Sequence, residues 1–446
     1  MPSEPTAERS GQPAHIEDDG HLPEDWLWRA FLSRDNLFEA LSRVQANRGA
    51  PGVDGMTTDE LRRWLVDRWL EVREALDEGT YRPQPVRRVS IPKPGGGERL
   101  LGVPTVLDRL IQQAISQVLS PIFDPDFSES SYGFRPYRSA HQAVEAARTY
   151  IEEGYRQVVD VDLERFFDRV GHDALMARVA RKVSDRKLLK LIRRYLEAGV
   201  MVDGVKQATE EGTPQGSPLS PLLSNIMLDD LDRQLEKRGH RFVRYADDVR
   251  VFLKSRRAAE RVMEGVTEFA EGRLKLKVNR EKSSVRPASQ ATLLGFGFYF
   301  TKGGVRVRTA PKAIHRLKGQ LRRLTRRNWR VSMEVRIAAL NKFTRGWMAY
   351  FRVADTPGVF QDLDGWLYRR MRQVRWKEWK RYSAKRRNLR ALGIPERSAR
   401  EWAASSKGCW RIAGSAPLQR ALPRSYWDGL GLLSLSQHWS RHRTAT

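Results

Sequence analysis

The chain has 446 residues, of which 40% are hydrophobic, so it is long enough for two to four domains and too apolar for a disordered protein. Its formal net charge is +26, and the whole excess lies in residues 301–446, where 34 basic residues stand against 8 acidic ones. Nine of the thirteen tryptophans lie there too, and this mixture indicates a nucleic-acid partner. The sequence has no apolar run long enough to favour a membrane, and its single cysteine, Cys409, excludes an internal disulfide and a cysteine-rich zinc site.

The first hundred residues predict a tail, a helical extension and a hairpin. Residues 1–25 are rich in Pro, Glu, Asp and Gly and lack a signal-peptide pattern, which predicts a flexible tail on a cytoplasmic protein. Residues 26–85 place apolar side chains three and four positions apart, as the buried faces of helices do. Residues 86–104 predict two strands around a turn rich in Gly and Pro. In this hairpin Lys93 and Arg99 could hold a triphosphate, or they could be two solvated cations on an exposed hairpin.

The next segment combines loop arginines with a strand that carries two carboxylates. Arg135 and Arg138 lie around a loop ahead of a predicted helix, where they could contact a nucleic-acid backbone or pair with nearby acids. Residues 157–163 predict a strand, and the period of two places Asp160 and Asp162 on one face. An ordinary polar strand face is the alternative.

A second pair of carboxylates lies at the tip of a hairpin predicted at residues 241–252. Asp247 and Asp248 repel each other unless a cation neutralises them, and Mg2+ prefers such oxygen ligands; ordinary turn chemistry is the alternative. A strand, a helix, a loop rich in Gly and Pro, a second helix and this hairpin follow one another along the chain. Asp162 can therefore meet Asp247 and Asp248 at one edge of an antiparallel sheet, as two-metal phosphoryl transfer requires.

Further regular elements connect and follow these segments. Residues 106–119 predict a helix that ends before Pro121, and residues 274–278 alternate as a half-buried strand does. Three basic helices are predicted at 311–328, 332–351 and 360–382. A tryptophan-rich block follows and continues to the end of the chain.

In this order the motifs resemble group II intron-encoded reverse transcriptases with a maturase domain. The motifs that match the polymerase part of that family are Ile91-Pro92-Lys93-Pro94, Tyr132-Gly133-Phe134-Arg135-Pro136, Asp162-Leu163-Glu164-Arg165-Phe166-Phe167-Asp168, Thr213-Pro214-Gln215-Gly216-Ser217 and Tyr245-Ala246-Asp247-Asp248. Asn341-Lys342-Phe343 with Gly346-Trp347 is similar to the maturase-specific segment of that family, and residues 407–435 are similar to its DNA-binding region. The resemblance spans about residues 35–440, and its many ordered motifs make it specific.

The resemblance implies an α+β chain with a right-hand polymerase fold. Fingers and palm would occupy residues 86–300, after an N-terminal helical extension at 26–85. A helical thumb or maturase domain would follow at 301–383, and a small basic DNA-binding domain at 384–446.

The resemblance also implies site residues and partners. The metal aspartates of the family fall on Asp162, Asp247 and Asp248, which implies two Mg2+ ions and an RNA-directed DNA polymerase. The dNTP-binding positions fall on Lys93, Arg99, Phe167, Gln215, Gly216 and Lys282, where the ring of Phe167 would exclude a 2′-hydroxyl. Nucleic-acid contacts are expected at Arg135, Arg138, Lys342, Arg345, Trp347, Lys377, Lys380 and Arg381. The implied partners are intron RNA, an RNA template with a DNA primer, target DNA and dNTPs.

One departure from the family concerns the end of the chain. Many members carry an HNH endonuclease domain with cysteine pairs, so a chain with one cysteine is expected to belong to the branch without it. The expected function is reverse transcription together with intron RNA binding that promotes splicing and retrohoming. A domesticated relative in DNA repair, phage defence or a CRISPR system is one alternative, and a non-catalytic RNA-binding splicing factor is another. The sequence leaves the oligomeric state open.

Overall fold

The computed structural model of the protein describes residues 25–92, 98–164, 166–202, 205–207 and 216–443. Helices and strands are mixed along these ranges, and the α+β class expected from the sequence is confirmed. The helices are α1 Trp26–Phe31, α2 Arg34–Asn47, α3 Leu61–Asp77, α4 Val106–Phe123, α5 Ala140–Glu152, α6 Phe166–Arg169, α7 His172–Val179, α8 Arg186–Glu197, α9 Ser220–Lys237, α10 Arg256–Gly272, α11 Pro311–Leu324, α12 Met333–Phe351, α13 Pro357–Glu378, α14 Tyr382–Ala391, α15 Glu396–Ala403, α16 Cys409–Ala413, α17 Ala416–Ala421, α18 Arg424–Gly429 and α19 Leu435–Arg443. The strands are β1 Val86–Pro92, β2 Glu98–Val103, β3 Gln157–Val161, β4 Val200–Val202, β5 Val205–Gln207, β6 Arg241–Tyr245, β7 Asp248–Leu253, β8 Ser284–Pro287, β9 Thr292–Leu293, β10 Phe296–Thr301 and β11 Gly304–Thr309.

The chain forms two compact units, of which the first consists of residues 1–127 and 165–227. Its sheet has the strand order β2-β1-β4-β5. β1 runs antiparallel to β2, with Arg87 opposite Val103, and parallel to β4. The hairpin predicted at residues 86–104 therefore has its two strands, although its turn lies outside the described residues. Helix α4 packs against α1 and α2 and forms the buried centre of this unit.

Helix α4 continues past the end that the sequence predicts. Pro121 lies inside the helix, which ends at Phe123 instead of Leu119. A proline in the last turn removes one backbone hydrogen bond. Leu119 and Phe123, on either side of the proline, are both buried, so their packing stabilises the turn that the proline weakens.

The second unit, residues 128–164 and 228–446, contains a four-stranded antiparallel sheet in the order β6-β7-β3-β8. β3 pairs with β7 on one side and with β8 on the other. Helices α5 and α10 pack against this sheet, and β7 is buried along its length from Val249 to Leu253. A buried strand of this kind gives the residues at its end a fixed position.

The remainder of the second unit is a small sheet followed by helices. The sheet has the order β11-β10-β9, and its aromatic side chains share one core with α5, α11, α12, α13 and the later helices. Trp427, in α18, is fully buried in the same core. Helix α13 begins at Pro357, three residues before the predicted start, because proline suits the first helical position. Within the described ranges, the structure has no helix both long and apolar enough to cross a bilayer.

The strand predicted at residues 274–278 is wrong. The predicted alternation of burial is present, since Leu274 and Leu276 are buried while Lys275 and Lys277 are exposed. Lys275, however, has a φ of 57°, which interrupts an extended strand. The segment makes a single isolated bridge, between Leu163 and Val278.

Candidate active site

Asp162 and Asp248 lie at the same edge of the β6-β7-β3-β8 sheet, on neighbouring antiparallel strands. In the ladder between β3 and β7, Val161 faces Val249, and one further step in this register sets Asp162 opposite Asp248. Opposite residues of an antiparallel pair have Cβ atoms roughly 4.5–5.5 Å apart. Asp247 precedes Asp248 in the turn between β6 and β7. Asp162 therefore lies at the same sheet edge as the adjacent pair Asp247 and Asp248, which comes much later in the chain.

The backbone of Asp162 is held by the segment 279–283. Its N–H donates to Ser283 Oγ at 3.0 Å, and its carbonyl accepts a hydrogen bond from the Asn279 N–H at 2.8 Å. Lys282 belongs to the same segment, where its N–H donates to the Asn279 carbonyl at 3.2 Å and its side chain is exposed. The lysine expected to face pyrophosphate is therefore carried by the segment that fixes Asp162.

The turn that carries Asp247 has a strained backbone. Tyr245 pairs with Asp248, so the turn has two residues, and Ala246 adopts a φ of 58°. A non-glycine residue in this left-handed region costs roughly 1–2 kcal/mol. The backbone of Gly133 lies against this turn, because a Cβ at position 133 would be 2.3 Å from the Ala246 nitrogen. Position 133 therefore accepts only glycine while the turn keeps this geometry.

Residues 130–132 lie beside β6 and extend the edge of its sheet. The Arg244 N–H donates to the Ser130 carbonyl at 2.8 Å, and the Tyr132 N–H donates to the Arg244 carbonyl at 2.9 Å. The motif around Tyr132 and Gly133, a loop in sequence terms, is thus a support for the Asp247 turn.

A buried ion pair links the same turn to helix α9. Arg244 and Asp232 are both fully buried, and the Arg244 Nε lies 2.8 Å from Asp232 Oδ1 and 2.9 Å from Oδ2. The Arg244 Nη1 donates to the Ala246 carbonyl at 3.1 Å. The guanidinium therefore holds the strained residue by its backbone. The sequence feature that pointed to this buried ion pair was Arg244, an arginine placed between the apolar residues of a predicted strand.

Arg250, in β7, supplies positive charge beside the carboxylates. Its Nη1 lies 2.7 Å from Asp160 Oδ1 and 3.1 Å from Asp248 Oδ1. Burial raises the pKa of Asp160; Arg250 opposes this shift, whereas Asp248 and Asp162 add to it. The carboxyl groups at this edge are therefore close enough to repel one another, and Asp160 supports the site through Arg250.

The chemistry of these residues fits a hard divalent cation. Within the described residues, the structure has no three His, Cys, Asp or Glu side chains already converged on a point that could hold a metal ion. Asp162, Asp247 and Asp248 nonetheless provide the oxygen donors that Mg2+ prefers. Burial is the main cause of the raised pKa of Asp160, and Asp248 and Asp162 raise that pKa further; a bound cation would relieve this smaller repulsive part.

Of the remaining dNTP-binding candidates, Arg99, Phe167 and Gly216 lie in the described part of the first unit. Lys93 and Gln215 lie outside the described residues, as does the side chain of Arg99. Phe167, in α6, is buried, and its ring meets that of Phe166 edge to face at 5.2 Å. Gly216 has a φ of 119°, and a Cβ there would lie 3.0 Å from the carbonyl oxygen of Gly102, so this position also requires glycine.

Three of the expected nucleic-acid contacts are engaged within the protein. Arg135 is 9% exposed, and its Nη1 donates to the carbonyls of Ser128 at 2.6 Å and Ser131 at 3.1 Å. Arg138 forms an ion pair with Glu129. Trp347 stacks on Phe351 with ring centroids 4.5 Å apart. Arg135 is therefore a structural residue that holds its own loop, because its buried guanidinium leaves little surface for a phosphate.

The other expected contacts are accessible. Exposed side chains are found for Lys342, Arg345, Lys377, Lys380 and Arg381. Cations on the surface of a basic helical region are suited to bind phosphates.

Two families match this chain. Residues 91–298 match the family described as reverse transcriptase (RNA-dependent DNA polymerase), and residues 314–393 match the group II intron maturase-specific domain. The first range contains Asp162, Asp247 and Asp248, and the second contains helices α12 and α13.

Individual proteins agree with these matches. Protein YkfC of Escherichia coli (strain K12) is 34% identical over 299 residues, which cover 58% of this chain and 78% of that protein. Group II intron-encoded protein LtrA of Lactococcus lactis subsp. cremoris is 28% identical over 361 residues, which cover 66% of this chain and 60% of that protein. A chain of a solved structure, a partial Cas6-RT-Cas1–Cas2 complex, is 26% identical over 54% of this chain and 42% of that chain, with a TM-score of 0.35. The chain belongs to the group II intron reverse transcriptase and maturase family.

Proposed function

We propose that the protein is an RNA-directed DNA polymerase that extends a DNA primer on an RNA template, with dNTPs as its substrates. The observation that carries this proposal is the register of the sheet, which sets Asp162 opposite Asp248 beside the turn that contains Asp247. Membership of the family supports the same activity. A splicing factor without catalysis would have no need for three carboxylates at one sheet edge, where they repel one another.

In this proposal the three aspartates hold two Mg2+ ions. When bound, such ions lower the pKa of an attacking hydroxyl and stabilise the charge of the leaving pyrophosphate. The segment 279–283 orients Asp162, and Arg250 limits the repulsion between Asp248 and Asp160.

The dNTP side of the site is proposed from the family motifs. Lys93, Arg99 and Lys282 would bind the triphosphate through charge-assisted hydrogen bonds. Phe167 would exclude a ribose 2′-hydroxyl, and Gln215 with Gly216 would contact the incoming nucleotide. The exposed side chain of Lys282, on the segment that holds Asp162, supports the part that this lysine has in the proposal.

The maturase part of the proposal concerns intron RNA. The match of residues 314–393 to the maturase-specific domain supports binding of a group II intron RNA, assistance to its splicing and insertion of the intron into target DNA. The exposed cations of α12 and α13 would contact the RNA, and residues 384–446 would contact DNA. We also propose a cytoplasmic location, where the protein would bind these nucleic acids.

Primer extension on an RNA template tests the polymerase assignment. Asp162→Ala and Asp247→Ala should each reduce extension by at least a thousandfold, because each removes a proposed metal ligand, while binding of the template-primer changes less than about threefold. The matched control is Asp362→Ala, which removes an exposed carboxylate on α13 and should leave extension unchanged. Full extension by either active-site variant would refute the assignment.

A further inference from the structure

Two partly exposed tryptophans in the second unit are surrounded by cations. The Trp366–Trp410 cluster consists of Trp366 on α13, Trp410 on α16, and the side chains of Lys318, Arg322, Arg369 and Arg370. Three cations lie over the Trp366 ring: Lys318 at 5.8 Å from the centroid, Arg322 at 5.5 Å and Arg370 at 5.9 Å. Arg369 lies 4.2 Å from the Trp410 centroid, and Arg370 lies 6.0 Å from it.

The positive charge of this cluster is not balanced by a carboxylate. In the part of the chain that the structure describes, none of its four cations forms an ion pair with an Asp or Glu. Burial lowers the pKa of Arg370, and the neighbouring Arg322 and Arg327 lower it further. Cations that repel one another in this way attract an anion to the same place.

Hydrogen bonds to backbone carbonyls and to one threonine hydroxyl fix two of the guanidinium groups in position. Arg369 donates to the Trp410 carbonyl at 3.1 Å from Nη2 and at 3.3 Å from Nε. Arg370 donates from Nε to Thr325 Oγ1 at 2.9 Å and from Nη2 to the Arg322 carbonyl at 3.2 Å. The cluster is therefore assembled before any ligand arrives, which reduces the entropy lost on binding.

The Trp410 ring provides a surface on which a base can stack. The Arg369 guanidinium lies over one face of the ring, and 37% of the residue remains exposed. An exposed aromatic ring can stack against a planar base, and Lys318 and Arg322, one helical turn apart on α11, offer two cations to the phosphates of the same strand. An acidic protein surface would satisfy the cations but would leave the indole without a stacking partner.

We propose that the Trp366–Trp410 cluster is a binding site for an unpaired stretch of nucleic acid, with one base stacked on Trp410 and phosphates bound by Lys318 and Arg322. The proposal rests on the proposed function, which supplies the nucleic-acid partner. It adds a site that takes single strands in preference to duplexes, because base pairing hides the face that the indole requires.

Binding of fluorescein-labelled 12-nucleotide RNA, DNA and blunt duplex to the full-length protein tests this site. Trp410→Ala should weaken single-strand binding about tenfold and duplex binding less than twofold, and Trp410→Phe should restore most of the loss because it keeps an aromatic ring. Lys318→Ala with Arg322→Ala should make the negative slope of log K against log salt for single strands shallower by about 1.4. The affinities measured for the RNA and for the single-stranded DNA show which of the two the cluster prefers.

The control for charge is Arg316→Ala combined with Lys312→Ala, which removes two exposed cations from other positions on α11. Circular dichroism spectra and thermal melts of all variants show whether each is folded. The proposal would be overturned if Trp410→Ala weakened the binding of single strand and duplex equally. It would also be overturned if Trp410→Ala bound single strands as tightly as a wild-type protein that extends primers. A wild-type protein that fails to extend primers yet binds single strands through Trp410 would refute the polymerase assignment and leave this site standing.

Discussion

Ala246 adopts a backbone conformation that favours glycine, so its neighbours must hold it there. The Gly133 backbone lies against its nitrogen, and the Arg244 guanidinium donates to its carbonyl. Asp232 fixes that guanidinium from α9. Because Asp247 is the next residue, the position of one proposed metal ligand depends on an ion pair that does not itself contact a substrate. Arg244 and Asp232 are therefore positioning residues.

Replacement of the ion pair separates its role in stability from its role in the turn. Arg244→Met alone should lower the free energy of unfolding by about 3–5 kcal/mol, because it leaves the buried Asp232 carboxylate without its partner. The double variant Arg244→Met, Asp232→Leu should recover most of that stability, since two apolar side chains then pack together.

Primer extension distinguishes the two roles in the same variants. The double variant should remain at least tenfold slower than the wild-type protein, with little change in KM for dNTPs, because the Ala246 carbonyl has lost its donor. An extension rate restored along with stability would show that the pair serves folding alone. Chemical denaturation and single-turnover extension are the two measurements.

Asp364 shows at the scale of elements how α13 and α19 are joined. Its Oδ1 accepts from the Leu435 N–H at 2.7 Å, and its Oδ2 accepts from the Ser436 N–H at 2.9 Å and from the Ser434 hydroxyl at 2.7 Å. A carboxylate at the N-terminus of a helix satisfies free N–H groups and interacts favourably with the helix dipole. A residue from one helix thus caps another that is about seventy positions later in the chain.

Removal of this cap should loosen the end of the chain. Asp364→Ala should lower the free energy of unfolding by roughly 1–3 kcal/mol, because buried N–H groups of α19 lose their acceptor. Hydrogen exchange of the α19 amides should increase more than that of the β7 amides. Asp362→Ala, on the exposed side of the same helix, should change neither measurement. Equal exchange in all three proteins would show that α19 does not depend on this cap.

The charge of the whole molecule is divided along the chain. Residues 1–300 are balanced, whereas residues 301–446 carry the full excess of basic residues. Helices α11 to α19 pack around the shared core of the second unit, and many of their arginines and lysines stay at the surface. Affinity for nucleic acid is therefore expected to come mainly from this part of the protein, and to depend on salt.

A salt titration of RNA binding tests this division. Affinity should fall roughly a thousandfold between 50 and 200 mM salt if six or more phosphates are bound, because each contact releases counterions. The test variant carries Lys377→Ala, Lys380→Ala and Arg381→Ala, and the matched control carries Arg43→Ala, Arg68→Ala and Arg256→Ala. The slope should decrease in the first and stay constant in the second. The same decrease in both, or a flat titration of the wild-type protein, would contradict this origin of the affinity.

The sequence by itself determined the α+β class, the hairpin around Asp247 and Asp248, the strand that leads to Asp162, and the family. These features follow from local information: a period of two marks a strand, turn residues mark a hairpin, and ordered motifs mark a relative. The boundaries of helices were less well predicted, as Pro121 and Pro357 show, because packing in the core outweighs the preference of a single residue.

Only the tertiary structure decided which polar residues are buried and which residues far apart in sequence come together. It showed that Arg135 holds its own loop, that Arg244 joins Asp232 beneath the turn, and that the segment 279–283 fixes Asp162. It also gathered the Trp366–Trp410 cluster from three helices. Spacing along the chain carries no information about such contacts, because burial and distance depend on how whole elements pack.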